Sequence, residues 1–170
     1  GIELNNLKIT LNQKGIKINE QNGLSLKNCE KFIIQDCLFN FAINCGLLIS
    51  ESLNGVVRFN EFMNNSMGIK IINSSSIDIH SNNIFENAGG IVLMSLPDLS
   101  IHKTKKIRLF DNIIKNNNHK NQSRKKNSSF LIPSGSGIFM LAASNVEIFN
   151  NNIMDNKTFG ISILSYLSTG

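Results

Sequence analysis

GIKIINSSSIDIHSNNIFENA, residues 68–88, carries the pattern that decides the fold. Counted from Gly68, apolar side chains fall one and three residues on (Ile69, Ile71), nine and eleven on (Ile77, Ile79), and sixteen on (Ile84). Each burst alternates with period two, as a strand does when one face is buried, and nothing in the stretch has helical spacing. Asn and Ser fill the gaps between bursts, and both are turn formers.

The block recurs along the chain. Glycines opening an apolar pair stand at Gly1, Gly23, Gly46, Gly68, Gly90, Gly137 and Gly160, at intervals of 22, 23, 22, 22, 47 and 23 residues. The first pair returns as Leu24 and Leu26, Leu47 and Ile49, Ile91 and Leu93, Ile138 and Met140, Ile161 and Ile163. The second returns as Phe32 and Ile34, Gly55 and Val57, Val146 and Ile148, and the lone residue as Phe39, Phe62 and Ile153. A fixed period of this length marks a solenoid with one circuit per repeat. Three short strands per circuit predict an all-β parallel β-helix of about seven rungs, each rising about 4.8 Å. A leucine-rich repeat has a comparable period, but its L-x-x-L-x-L-x-x-N order is missing.

Asparagine, at 27 of 170 residues, gathers where the corners should be. One set lies between the second and third strands, at Asn60, Asn82, Asn83, Asn112, Asn151 and Asn152; another follows the third, at Asn65, Asn87 and Asn156. Glycine and asparagine accept the left-handed backbone of tight corners, and an asparagine amide can bond to the same residue one rung away. Cys29, Cys37 and Cys45 then occupy three corners of one rung, with Cys37 at the asparagine position. Corners of one rung are too far apart for a disulfide, so three free structural thiols are expected.

Hydrophobic residues make up 41% of the chain, enough for one packed domain over residues 1–170. The net charge of +5 favours an acidic partner, yet the basic residues cluster in His102–Lys106 and Lys120–Lys126. These read as solvated loops, and without interleaved aromatics they exclude a base-stacking nucleic-acid surface. No membrane span or signal peptide is visible. Because exposed rung ends need caps, the domain is expected to be part of a longer chain or to associate end to end.

The segments GGIVLMSLPDL (89–99), IRLFDNIIKNNN (107–118), IPSGSGIFMLAASNVEIFNNNIMDN (132–156) and GISILSYL (160–167) resemble the right-handed parallel β-helix repeat proteins of the pectin-lyase-like superfamily. Those proteins are mostly bacterial and often exported. The resemblance implies a right-handed coil and a secreted, periplasmic or cell-surface protein that works on carbohydrate. Polysaccharide lyases, glycoside hydrolases, mannuronan epimerases and phage tailspikes share this fold, so the fold does not choose among them.

The 47-residue interval holds two insertions, at about 95–106 and 118–136, one on each side of a first strand. Relatives that process polysaccharides place their cleft across that strand's outer face between such loops, and long loops on a rigid scaffold usually carry function. From Val92 onward the outward residues of this strand (Val92, Met94, Phe139, Leu141, Ser162, Leu164) are largely apolar, as in a face covered by loops or by a partner. Candidate catalytic residues in or beside the first insertion are Asp98, His102, Lys103 and Arg108. A lyase would use His102 as base with Lys103 or Arg108 on a uronate carboxylate. Candidate substrate-binding residues are Asp78 and His80, outward and two apart on the second strand, and Lys70, outward on the first. No metal site or cofactor is expected: turns offer oxygens of the kind calcium takes, but no ligand cluster points to it.

The leading expectation is an extracellular or cell-envelope module that binds polysaccharide through its loop-flanked side. The alternatives are a lyase or epimerase acting on an acidic glycan, and a structural or adhesive rod that self-associates through its ends or its apolar outer stripe.

Overall fold

The computed structural model describes residues 16–17, 21–97, 99 and 103–165. Three sheets wrap one interior. The first contains Asn22–Lys27, Cys45–Ser50, Met67–Ile72, Gly89–Met94, Ser136–Leu141 and Phe159–Leu164, all parallel. The second contains Glu30–Gln35, Leu53–Arg58, Ser75–His80, Lys105–Phe110 and Ser144–Phe149. The third contains Leu38–Asn40, Glu61–Met63, Asn83–Phe85, Ile113–Lys115 and Asn152–Met154. The three-stranded rung is as the periodicity predicts. One strand departs from it: Ile16–Lys17 pairs antiparallel with Ser25–Leu26. The rung expected at Gly1 lies outside the described residues.

Period-two alternation sends the predicted pairs inward, except on the last described strand, where Ile161 and Ile163 are exposed. Leu24, Leu47, Ile69, Ile91 and Ile138 align in register and are fully buried. Phe39, Phe62, Ile84, Ile114 and Ile153 form a second interior row, with the first two rings stacked at 4.7 Å. At Gly55 the Phe32 ring crosses the interior, where an added Cβ would lie 2.7 Å from Cε1 and closer still to Cζ.

The corners divide their work between neighbouring residues. Asn60, Asn82, Asn112 and Asn151 form a continuous amide ladder, each Nδ2 donating to the next Oδ1 at 2.9–3.0 Å. Asn65, Asn87, Asn117 and Asn156 form a second, at 2.9–3.1 Å. A hydroxyl ladder runs through Ser52, Ser74 and Thr104, whose side chains donate to Ser50 O, Ile72 O and Met94 O. Cys37 N donates to Asn60 Oδ1 and Cys29 N to Ser52 Oγ, so these thiols hold the ladder positions of their rung. All three cysteines are free and buried.

The ladder asparagines do not adopt the left-handed conformation, contrary to expectation. The residue just before each does (Phe59, Ser81, Asp111 and Asn150 at one corner, Asn64, Glu86, Asn116 and Asp155 at the other), as do Asp36 and Phe41 before Cys37 and Ala42 on the first rung, all with φ between 52 and 57°. Nor, among the described residues, do the rung-opening glycines serve that purpose. A Cβ on Gly68 would meet Gly90 O at 2.9 Å and the Ile84 methyl at 2.8 Å, so this position is kept bare for close stacking.

Candidate functional site

The outer face of the first sheet is covered. Residues 118–136 fold back across it, and Ile132 packs with Met67, Val92, Met94, Phe139 and Leu141. Asn121 Nδ2 ties the loop to itself through Ser129 O (2.8 Å) and Ile132 O (2.9 Å), and Gln122 N donates to Ser66 Oγ at 3.0 Å. Lys70, outward as predicted, lies beneath this loop and is only 1% exposed, so it is not presented to solvent as a ligand-facing residue would be. Its Nζ donates to Ser129 Oγ (2.7 Å), Ser128 Oγ (2.8 Å) and Asn127 Oδ1 (3.3 Å). Burial without a carboxylate partner pushes its pKa down to about 8. Burial likewise pushes the neighbouring Cys45 thiol up to about 12, so it stays protonated and inert.

Toward its later strands the first sheet shows a largely apolar surface beside the loop, whereas Lys27 at the other end is exposed and paired with Glu51. A groove of about 430 Å³ runs between Leu131 and Pro133 on one side and Met94, Phe139, Leu141 and Phe159 on the other. It has no polar cluster suited to acid–base work.

The second sheet presents a different outer face, open and chemically mixed. Alternation aims every second side chain outward, and parallel register lines these up along the rod. One row is Val56, Asp78, Arg108, Glu147. Arg108 grips Asp78 with two parallel bonds, Nε to Oδ1 at 2.7 Å and Nη2 to Oδ2, and Glu147 flanks it on the next rung. The Asp78 carboxylate raises the Arg108 pKa. The adjacent row is Gln35, Arg58, His80, Phe110, Phe149. His80 stacks on Phe110 at 4.7 Å and Phe110 on Phe149 at 5.0 Å, with Phe59 edge-on to His80 at 6.0 Å. Partial burial first, then Arg58, lowers the His80 pKa, which keeps the ring neutral near pH 7. Beside the charged row lies a shallow depression of about 420 Å³, walled by Ser76, Lys106 and Asn145 as well as the three charged residues.

The predicted residues are thus redistributed. Asp78, His80 and Arg108, assigned to two different tasks, meet on one face. Lys70 stands apart on the first sheet. Lys103 is exposed just before Thr104, where the chain re-enters the rung; the second-sheet strand already begins at Lys105, inside the predicted insertion. Asp98 and His102 lie outside the described residues. Sequence reasoning missed Phe110, Phe149 and Glu147. Their signal was available: subtracting the inserted residues places Phe110 and Phe149 at the position of His80.

Among the described residues no three His, Cys, Asp or Glu side chains gather as metal ligands, and no helix is long and apolar enough to cross a membrane. A family model described as "Right handed beta helix region" matches residues 1–169. No curated protein and no solved structure matches the chain.

Proposed function

Because this chain belongs to the right-handed β-helix family, we propose that it is a polysaccharide-binding module, secreted, periplasmic or cell-surface, that holds its glycan along the outer face of the second sheet. The observation that carries this is the pairing of two parallel rows, the rings of His80, Phe110 and Phe149 beside the charges of Asp78, Arg108 and Glu147. Sugars present apolar C–H patches and a dense set of hydroxyls. Aromatic carbon accepts the first, while carboxylate and guanidinium groups bond the second. Phe59 adds to this ledge, 54% exposed at the corner that follows Arg58. The repeat of the rows along the axis suits a linear polymer better than a single sugar. Carboxylates and cations alternate here, so the face itself does not demand an acidic glycan.

The lyase or epimerase reading gains less. Arg108 is held two-fold by Asp78, which leaves it poorly placed to neutralise a uronate. The adhesive-rod reading is favoured by one feature, the open apolar groove with Leu131 70% exposed.

The test is affinity electrophoresis through gels containing neutral or acidic polysaccharides, with absorbance of unsaturated product followed in parallel. Each of Phe59→Ala, Phe110→Ala and Phe149→Ala should weaken retardation by roughly threefold to tenfold, the worth of one aromatic contact. Retardation unchanged in all three refutes the site. Appearance of unsaturated product establishes the lyase instead, and concentration-dependent scattering lost in Leu131→Asp establishes the rod.

A further inference from the structure

We propose that the pocket between the second insertion and the N-terminal rungs binds an oxyanion: a carboxylate, sulfate or phosphate group. This site lies under the loop over the first sheet and does not rest on the glycan reading of the second. The pocket measures about 430 Å³; Ile43 is its one apolar wall, and Arg124, Lys126, Asn127 and Ser128 face it from the loop, Gln21 and Asn44 from the rungs. Arg124 and Lys126 are exposed cations on its wall, and neither forms an ion pair with a described residue.

The decisive group is Lys70, directly behind the wall. Its ammonium contacts two residues that line the pocket, Ser128 and Asn127, and a third hydroxyl, Ser129, that is fully buried. All three are neutral. In register on either side stand Leu48 and Val92, which are apolar, and the titratable neighbour on the sheet is the protonated Cys45 thiol. No carboxylate of the described residues lies within ion-pair distance. A buried charge met only by neutral dipoles is costly, and sites retain one when it has a partner to meet. Ser128 points the way: its oxygen accepts from Lys70, which leaves its own proton free to donate into the pocket. Arg124, Lys126, the Ser128 hydroxyl and the Asn127 amide then supply donors around one anionic group, with Lys70 as the charge beneath.

Isothermal titration of the full chain at constant ionic strength tests this, using sodium sulfate, sodium phosphate and short hexuronate oligomers as probes. Binding of at least one is expected, and the double variant Arg124→Gln, Lys126→Gln should weaken it about tenfold or more. Tighter binding of the oligomers assigns the anion to a glycan, and tighter binding of the inorganic ions assigns it to a free oxyanion. Sulfate, whose charge is constant, reads Lys70 directly: binding at pH 8 should take up a proton, and affinity should fall as pH rises through about 8. Lys70→Met should abolish that uptake. The wild-type pH profile gives the same answer should that variant fail to fold. No binding of any probe, equal binding by the double variant, or a sulfate affinity that is flat from pH 7 to 9 overturns the proposal. Phe110→Ala should leave it untouched, which separates it from the glycan face.

Discussion

Replacing Asn82 tests the ladder on which the fold depends. Its Oδ1 accepts from Asn60 N and Asn60 Nδ2, both at 3.0 Å. Its Nδ2 donates to Val57 O and His80 O at 2.9 Å and to Asn112 Oδ1 at 3.0 Å. In Asn82→Ala the buried Asn60 N–H loses its acceptor, and one orphaned buried donor costs about 1–3 kcal/mol. Asn60 Nδ2 keeps Ile34 O and Arg58 O, so its loss is smaller. The expected total is about 2–4 kcal/mol, which for a chain of this size lowers Tm by roughly 5–15 °C. Asn82→Asp is nearly isosteric and still accepts from Asn60, yet it aims a carboxylate oxygen at three acceptor oxygens. It should be worse than alanine at pH 7 and should recover on acidification. The sign follows because the folded-state carboxyl is raised, so the penalty is absent below the unfolded pKa and grows as pH rises through the folded one. Asn83 is the control one residue away: its buried Oδ1 meets no donor, and the next rung has Ile113 there. Asn83→Ile should therefore be neutral or stabilising. Thermal unfolding of the four proteins between pH 4 and 8 reads all of this. Asn82→Ala within 0.5 kcal/mol of wild type, or an aspartate variant no worse than alanine at pH 7, would refute the reasoning.

Gly55→Val drives a side chain into the Phe32 ring and should cost roughly 3 kcal/mol or more, with Phe32→Leu restoring part of the loss in the double variant; denaturant melts of the three proteins decide it, and additive losses would contradict the contact. Glu86→Asn should stabilise by about 0.5–1 kcal/mol, since position 86 holds φ 52° and the neighbouring rungs use Asn64 and Asn116 there. Lys70→Met should change the pH dependence of stability: Lys70 is charged in both states below about 8, and its burial penalty fades as pH rises toward the unfolded value of 10.5. Relative to wild type the variant should thus lose about 3 kcal/mol between those limits, read from urea midpoints at pH 7.5 and 10.5. A pH-independent difference would show that Lys70 is solvated.

The interior was legible because it is dictated locally. Ile69, Ile91 and Ile138 must all face inward for a circuit of this length to close, so one repeat predicts the rest. The corners were half legible, since Asn64–Asn65, Asn116–Asn117 and Asn150–Asn151 are pairs in which the first residue turns the chain and the second bonds the ladder. Both tasks suit asparagine, and residues such as Phe59, Ser81, Glu86 and Asp111, which turn the chain without an amide, mark the first as distinct. The burial of Lys70 was not legible for a different reason. What covers it lies 57–59 residues away in an insertion that obeys no period, and alternation reports a direction without reporting what lies there.

The exterior carries information of another kind. Closing the circuit leaves the outward positions free, so a trend along one outward row has to come from something other than the fold. The row Gln35, Arg58, His80, Phe110, Phe149 turns from polar to aromatic along the rod, and its neighbour Val56, Asp78, Arg108, Glu147 turns from apolar to charged. Two adjacent rows change together toward the same end, and on the proposed reading the later rungs grip the glycan. Affinity should accordingly fall more for Phe149→Ala than for Arg58→Ala in the same gels, and the opposite order would mean that the polymer lies elsewhere.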